Sequence, residues 1–250
     1  MSINLLIISI APSIAFLIWI YLKDKYDKEP ISFLIKLFFI GVLISIPAIL
    51  AEDILFNINI DNIYINRAYT AFIVAASSEE ILKAIPLILY VSKNRHFTEK
   101  LDGIVYSIFI SLGFATIENI MYIVYGNNTQ VFELSLSRAF ISIPAHIMFA
   151  ITMGYYLSLY RFTANDEKLR KIYLIKSIVI PILLHGIFDF ILMFKSKTTL
   201  IIFFIYLIYL WKINIDKLDE YTNYARKRAY RFKRLKLRLK LNRKNKNTKH

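Results

Sequence analysis

AYTAFIVAASSEEILKAIPLILYV, residues 68–91, is the stretch on which the reading of this chain turns. Its length suits a helix crossing a hydrocarbon core of about 30 Å, yet Glu79, Glu80 and Lys83 lie near its middle. An ionisable group at that depth costs at least about 2.5–3.5 kcal/mol on insertion scales and is a functional candidate by default. Lys83 follows the two glutamates at four and three residues, on the same helix face, so it can pair with one of them. The other is then a candidate general base. A structural Glu–Lys pair that locks two helices explains one glutamate but hardly both. Ser77 and Ser78 read as small packing residues.

Working outward, six further apolar blocks have lengths near that of a membrane span: residues 3–22, 31–50, 101–125, 134–160, 173–194 and the shorter 198–213. With 57% apolar residues and a mean hydropathy of +0.49, the chain exceeds the usual content of a soluble domain. The expected fold is all-α: a polytopic transmembrane helix bundle of about seven spans over 1–213, followed by a basic tail over 214–250. The first block has no basic leader and no small-residue cleavage site, so it reads as a span and not as a removed signal. There is no cysteine, which excludes a disulfide framework and thiolate chemistry. Six glycines, none in a phosphate-loop pattern, exclude the soluble nucleotide enzymes.

Charge sets the orientation. The net charge is +14, and residues 226–250 hold thirteen Lys/Arg and no acid, so the remainder is close to neutral. Cation-rich connections (Lys23, Lys25 and Lys28; Lys93, Arg95 and Lys100; Arg161, Lys168, Arg170 and Lys171) and the tail alternate with poorer ones at 51–67, at 126–133 and at the short hinge 195–197, which has Lys195 and Lys197. By the positive-inside rule the N-terminus is outside and the C-terminus cytoplasmic. Lys36 and Lys176 lie near span ends and can snorkel to the headgroups. The longest connection, 51–67, has seventeen residues, so any chemistry must sit within the bundle. No internal repeat and no paired broken helices of the transporter kind are visible.

Other spans add polar groups. FATIENIMY carries Glu118 and Asn119, with Tyr122 one turn on and able to hydrogen-bond to Glu118. Glu118 suits a hydrogen-bond node as well as a catalytic role. SRAFISIPAHIMFA places His146 one turn after Ser142, with Pro144 expected to bend the helix. IPILLHGIFDF sets His185 and Asp189 at i and i+4, where the carboxylate can fix the tautomer of the imidazole. At 1.5 Å per residue, Glu79 and Glu80 lie ~16–18 Å from the outer end of their span, Glu118 ~12 Å, His146 ~10–18 Å, His185 ~14 Å and Asp189 ~8 Å. Helices running in alternate directions thus place these groups in one layer between the midplane and the outer leaflet, as a single site requires.

Read in order, EExxK (Glu79, Glu80, Lys83), FxxxEN (Phe114, Glu118, Asn119), a PxH histidine (His146) and HGxxD (His185, Gly186, Asp189) resemble the PrsW family of intramembrane proteases. The stretch from Tyr21 to Pro30 is similar to the segment after that family's first span. The resemblance covers spans one to six and leaves the seventh span and the tail outside. It implies a bacterial multi-pass plasma-membrane enzyme making the first, extracytoplasmic-side cut in a single-pass anti-sigma factor, after which a second intramembrane protease leads to sigma factor release. It also implies distant kinship with the type II prenyl endopeptidases, in which glutamate and histidine act on a water.

The residues themselves suit such a hydrolase. Glu79 or Glu80 takes a proton from a water that attacks the peptide carbonyl, and His146 and His185 polarise the carbonyl or protonate the leaving amine. Asp189 orients His185, Lys83 tunes one glutamate, and Asn119 can donate to the oxyanion. Ser142 with His146 is the one nucleophile–base pair at helical spacing. Two histidines and a glutamate are also a legitimate zinc set, so the cofactor is either none or a divalent metal such as zinc; without HExxH, the reading leans to metal-independent chemistry. The rival reading is a proton- or cation-coupled transporter, since buried Glu/His/Asp chains also relay protons. The tail suits anionic lipid on the cytoplasmic face, with RNA contact or a solvated, topology-enforcing tail as alternatives; no nucleic-acid partner is expected.

Overall fold

A computed structural model describes residues 3–125, 131–194 and 196–247. Most of the 126–133 connection, Lys195 and the last three residues of the tail lie outside these. The described residues form helices and short connections with no strand. We number the helices α1 (Ile3–Lys23), α2 (Ile31–Phe56), α3 (residues 63–89), α4 (Lys100–Tyr125), α5 (residues 131–162), α6 (Glu167–Leu192) and α7 (Lys197–Asn247). The bundle anticipated from the apolar blocks is present. Six of the helices are long and apolar enough to cross a membrane, and α3, more strongly segmented, is the seventh.

Helix α4 is the axis of the bundle. Every residue from 101 to 116 is buried, and α1, α2 and α5 pack around it. A helix apolar on all sides belongs in such a position. The outer helices instead turn residues such as Leu43 and Ile205 outward, as lipid contact requires. Within lipid the hydrophobic effect does not drive helices together, so close packing of small residues must do so. Gly41 and Gly113 face each other where α2 crosses α4, and Gly103 meets Gly154 where α4 crosses α5; a Cβ at any of them would collide with backbone of the opposite helix.

Two helices are not uniform. α3 consists of Ile63–Tyr69, a π-helical stretch Thr70–Ser77 and Ser78–Leu89. α5 consists of Val131–Ser137, a π-helical stretch Arg138–Ser142 and Ile143–Phe162. Pro144, expected to bend the fifth span, stands just inside the α-helix that follows the wide turn. Helix α2 also runs on to Phe56, so Glu52, placed by the sequence reading in a connection, lies on a helix.

The tail drawn from residue 214 begins inside α7, whose 51 residues would span about 76 Å as one straight helix. Beyond the apolar part, Asn214 Oδ1 accepts from Thr152 Oγ1 at 2.6 Å, Tyr221 stacks on Tyr155 at 4.7 Å, and Arg228 reaches the carbonyl of Thr98 at 3.0 Å.

Gly113→Ala forces the α2–α4 crossing apart and should cost about 1–3 kcal/mol, read as a lower unfolding midpoint of the detergent-solubilised chain. Ile205→Ala, on the lipid-facing side of α7, should leave that midpoint nearly unchanged.

Candidate active site

Glu79 and Glu80 lie two and three residues beyond the π-helical stretch of α3, and His146 lies four residues beyond that of α5. π-Turns inside α-helices occur frequently at functional sites. In α3 the wide turn is tied by Ser77 Oγ, which donates to the Phe72 carbonyl at 2.7 Å. Phe72 in turn packs against Gly186 of α6, where a Cβ would strike its ring. This close approach brings α6, with His185 and Asp189, against the glutamates.

The centre of the site is the ammonium of Lys83. It donates to Glu79 Oε2 at 2.8 Å, to Glu80 Oε1 at 2.8 Å and to His146 Nδ1 at 3.2 Å. An ammonium has three donors, and here all three are used. The Phe114 ring centroid lies 4.3 Å from the same nitrogen, adding a cation–π contact. Glu79, Glu80, Lys83, His146 and His185 are all buried, where unpaired charge is not tolerated.

From this centre the network runs both ways. Because His146 Nδ1 accepts from the ammonium, its proton lies on Nε2, which donates to Glu118 Oε2 at 2.9 Å. Glu118 Oε1 meets Arg138 Nη2 at 2.7 Å, and Arg138 Nε donates to Asn119 Oδ1 at 2.7 Å. In the other direction, His185 Nδ1 lies 3.0 Å from Glu80 Oε1 and Nε2 lies 3.3 Å from Asp189 Oδ2. Between two carboxylates both nitrogens are placed to donate, which only the imidazolium can do. The ring is held flat against Phe149, centroids 4.7 Å apart.

The seven site residues read from the sequence therefore fall in one network supplied by α3, α4, α5 and α6. They do not all face the same space. A cavity of about 780 Å³ is lined by Glu79, Glu118, His146, His185 and Asp189, but not by Glu80 or Asn119. Tyr122 carries its ring under the Arg138 guanidinium, 3.9 Å away, and Glu118 is taken by Arg138 and His146. Ser142 lines the cavity, yet both nitrogens of His146 are engaged by Lys83 and Glu118, so His146 is not free to act as its base.

Two cavity residues escaped the sequence reading. Arg138 lies inside the fifth apolar block, and an arginine within a span was itself the signal. Glu52 gave no such signal, because the apolar block before it ends at residue 50. It lines the cavity wall only because α2 continues to Phe56.

Residues 29–213 match the model of the PrsW family intramembrane metalloprotease. This match begins after α1 and takes in the seventh apolar block, which the sequence resemblance had left outside. The chain is 48% identical over 227 residues to Protease PrsW of Clostridioides difficile (strain 630), covering 91% of this chain and 95% of that protein. It is 36% identical over 210 residues to Protease PrsW of Bacillus subtilis (strain 168), covering 83% and 91%. With Protease PrsW of Geobacillus kaustophilus (strain HTA426) the identity is 34% over 226 residues, covering 90% and 96%. No solved structure matches the chain.

A metalloprotease needs ligands. Glu79, Glu80 and His146 offer one ligand atom each, all within 4.8 Å of one another. Lys83 Nζ, however, lies within hydrogen-bonding distance of all three residues. An ammonium and a divalent cation cannot share that position, so the donors as arranged do not fit a metal.

Lys83→Met leaves the buried Glu79 carboxylate without its cation and Glu80 with His185 alone, and should destabilise the chain by about 3–5 kcal/mol, measured by denaturant unfolding in detergent. Adding Glu79→Gln and Glu80→Gln to that variant should restore part of the loss, since the three groups act as one unit.

Proposed function

The chain belongs to the PrsW family of intramembrane proteases, and on that premise we propose that it makes the first, extracytoplasmic-side cut in a single-pass membrane anti-sigma factor, with Glu79 as the general base. The observation that carries this reading is the different surroundings of the two glutamates. Glu80 Oε1 is shared by Lys83 and His185, and Glu80 takes no part in the cavity wall. Glu79 lines the cavity and, among the described residues, accepts only from Lys83, through Oε2. A water in the cavity can therefore reach Glu79.

In this mechanism Glu79 removes a proton as the water oxygen bonds to the scissile carbonyl carbon. The carbonyl electron pair moves to oxygen, where positive groups on the cavity wall stabilise it. His185 is suited to that role: its Nε2 proton points to Asp189 at the longer distance of 3.3 Å and can turn to the oxyanion. Collapse of the intermediate breaks the C–N bond, and Glu79 passes its proton to the leaving amine. Lys83 holds the charge of Glu79 and Glu80 throughout. His146, Glu118, Arg138 and Asn119 act as positioning residues, and no step runs through a metal.

The loop charges put the cavity-lining ends of α2, α4, α5 and α6 in the extracytoplasmic half of the membrane, which supports a cut on that side. On the opposite side, the Lys and Arg residues from Arg226 to Lys240, together with Leu235, Leu237, Leu239 and Leu241, are largely exposed along α7. This supports contact of the tail with anionic lipid, worth about 1 kcal/mol per cation at the surface.

The test is co-expression with a tagged anti-sigma factor from the same genome, followed by blotting for truncation at matched protein levels. Glu79→Gln should lower the cutting rate by at least about 10²-fold; if it cuts like wild type, the proposed base is wrong. Arg138→Lys keeps the charge but loses the planar fork that holds Glu118 and Asn119. It should fold and cut more slowly.

A further inference from the structure

Glu52 is the one charged residue of the cavity wall to which the proteolytic mechanism gives no task. On α2 the residues that line the cavity are Ser45, Ile49 and Glu52, four and three residues apart and therefore on one helix face. Glu52 closes this stripe at its outer end, one turn before α2 stops at Phe56. The other charged groups on the wall are engaged within the chain: Glu79 by Lys83, Glu118 by Arg138 and His146, and Asp189 by His185. Glu52 has no hydrogen bond and no ion pair among the described residues. Its side chain is half-buried and faces the cavity.

A contact between α2 and α3 fixes its level. Tyr69 Oη of α3 donates to the Leu55 carbonyl at 3.1 Å, so these two positions stand at similar heights near the extracytoplasmic face. Glu52 lies three residues inward of Leu55 along α2, and Glu79 lies ten residues inward of Tyr69 along α3. At 1.5 Å per residue, Glu52 therefore stands roughly 10 Å nearer the outside than the proposed base. An extended peptide covers that distance in about three residues.

A carboxylate within a span is costly when it has no cation to pair with, and one that faces a peptide-binding cavity can take its partner from the peptide. Lysine and arginine supply it, arginine through a bidentate fork, whereas an acidic side chain brought to the same place meets like charge. We propose that Glu52 selects the substrate by pairing with a lysine or arginine about three residues to the extracytoplasmic side of the scissile bond. This rests on the proteolytic reading above and adds the class of sequence that the site accepts: basic at that position, with acidic side chains rejected by repulsion. Glu52 determines specificity and takes no proton in the reaction.

The test measures recognition apart from cutting. Labelled single-span peptides, in which the first three residues of the extracytoplasmic flank are Lys, Gln or Glu, are titrated with the full-length Glu79→Gln chain in detergent and followed by fluorescence anisotropy. The Lys peptide should bind at least about tenfold more tightly than the Glu peptide, with the Gln peptide between them. Glu52→Gln, added to the same chain, should bring the three affinities together, and Glu52→Lys should reverse their order, which a merely structural role for Glu52 does not produce. Wild type should cut the peptides in the same order, the difference lying in KM. Equal binding of the three peptides, saturable binding of none, or a Lys preference that persists in both Glu52 variants would overturn the proposal. Discrimination in binding with no cutting by wild type would sink the proteolytic reading instead and leave recognition by Glu52 standing.

Discussion

Lys83 is the group on which the membrane-embedded part of this protein depends. Two adjacent carboxylates within a hydrocarbon layer cannot stand uncompensated. A lysine three and four residues along the same helix reaches both, and its third donor is left for another helix. That donor goes to His146 of α5, so a local pairing becomes a link between helices. His185 and Glu118 then extend it to α6 and α4. Removing a partner from a buried ionic network costs far more than the network contributes relative to apolar packing. The arrangement is thus better understood as a device for specifying positions than as a source of stability.

The same lysine bears on the chemistry. Glu79, Glu80 and His146, whose donor atoms converge within 4.8 Å of one another, surround the Lys83 ammonium, so the positive charge at that point is carried by a side chain. From Asp189 through His185, Glu80, Lys83 and His146 to Glu118 and Arg138, each carboxylate has a cationic or N–H partner. Glu79 sits at the edge of this chain, bonded to Lys83 and facing the cavity. One carboxylate is locked and its neighbour is open to water, which separates their roles.

Holding such a network requires helices that approach closely and turn out of regular register. Paired glycines let α2 and α5 meet the α4 backbone, while Gly186 lets Phe72 of the α3 wide turn press against α6. The π-helical stretches lie just ahead of Glu79 and His146.

What the residues determined alone is whatever depends on local energetics. Apolar block length dictated spanning helices, the alternation of cations dictated orientation, and the cost of burying charge singled out Glu79, Glu80, His146 and His185 as one layer. The i, i+4 geometry of His185 with Asp189 and the reach of Lys83 to the glutamates were legible for the same reason, since a helix fixes neighbours three and four apart. Only the tertiary structure decided which groups share the cavity. Glu52 enters it because α2 runs on for a turn beyond its apolar block. Arg138 turns inward to Glu118, and Asn119 is drawn to Arg138 and away from the cavity wall. Both glutamates belong to the network, but only Glu79 faces the open space, because adjacent positions on a helix point about 100° apart and the packing of α6 against α3 closes one of those directions.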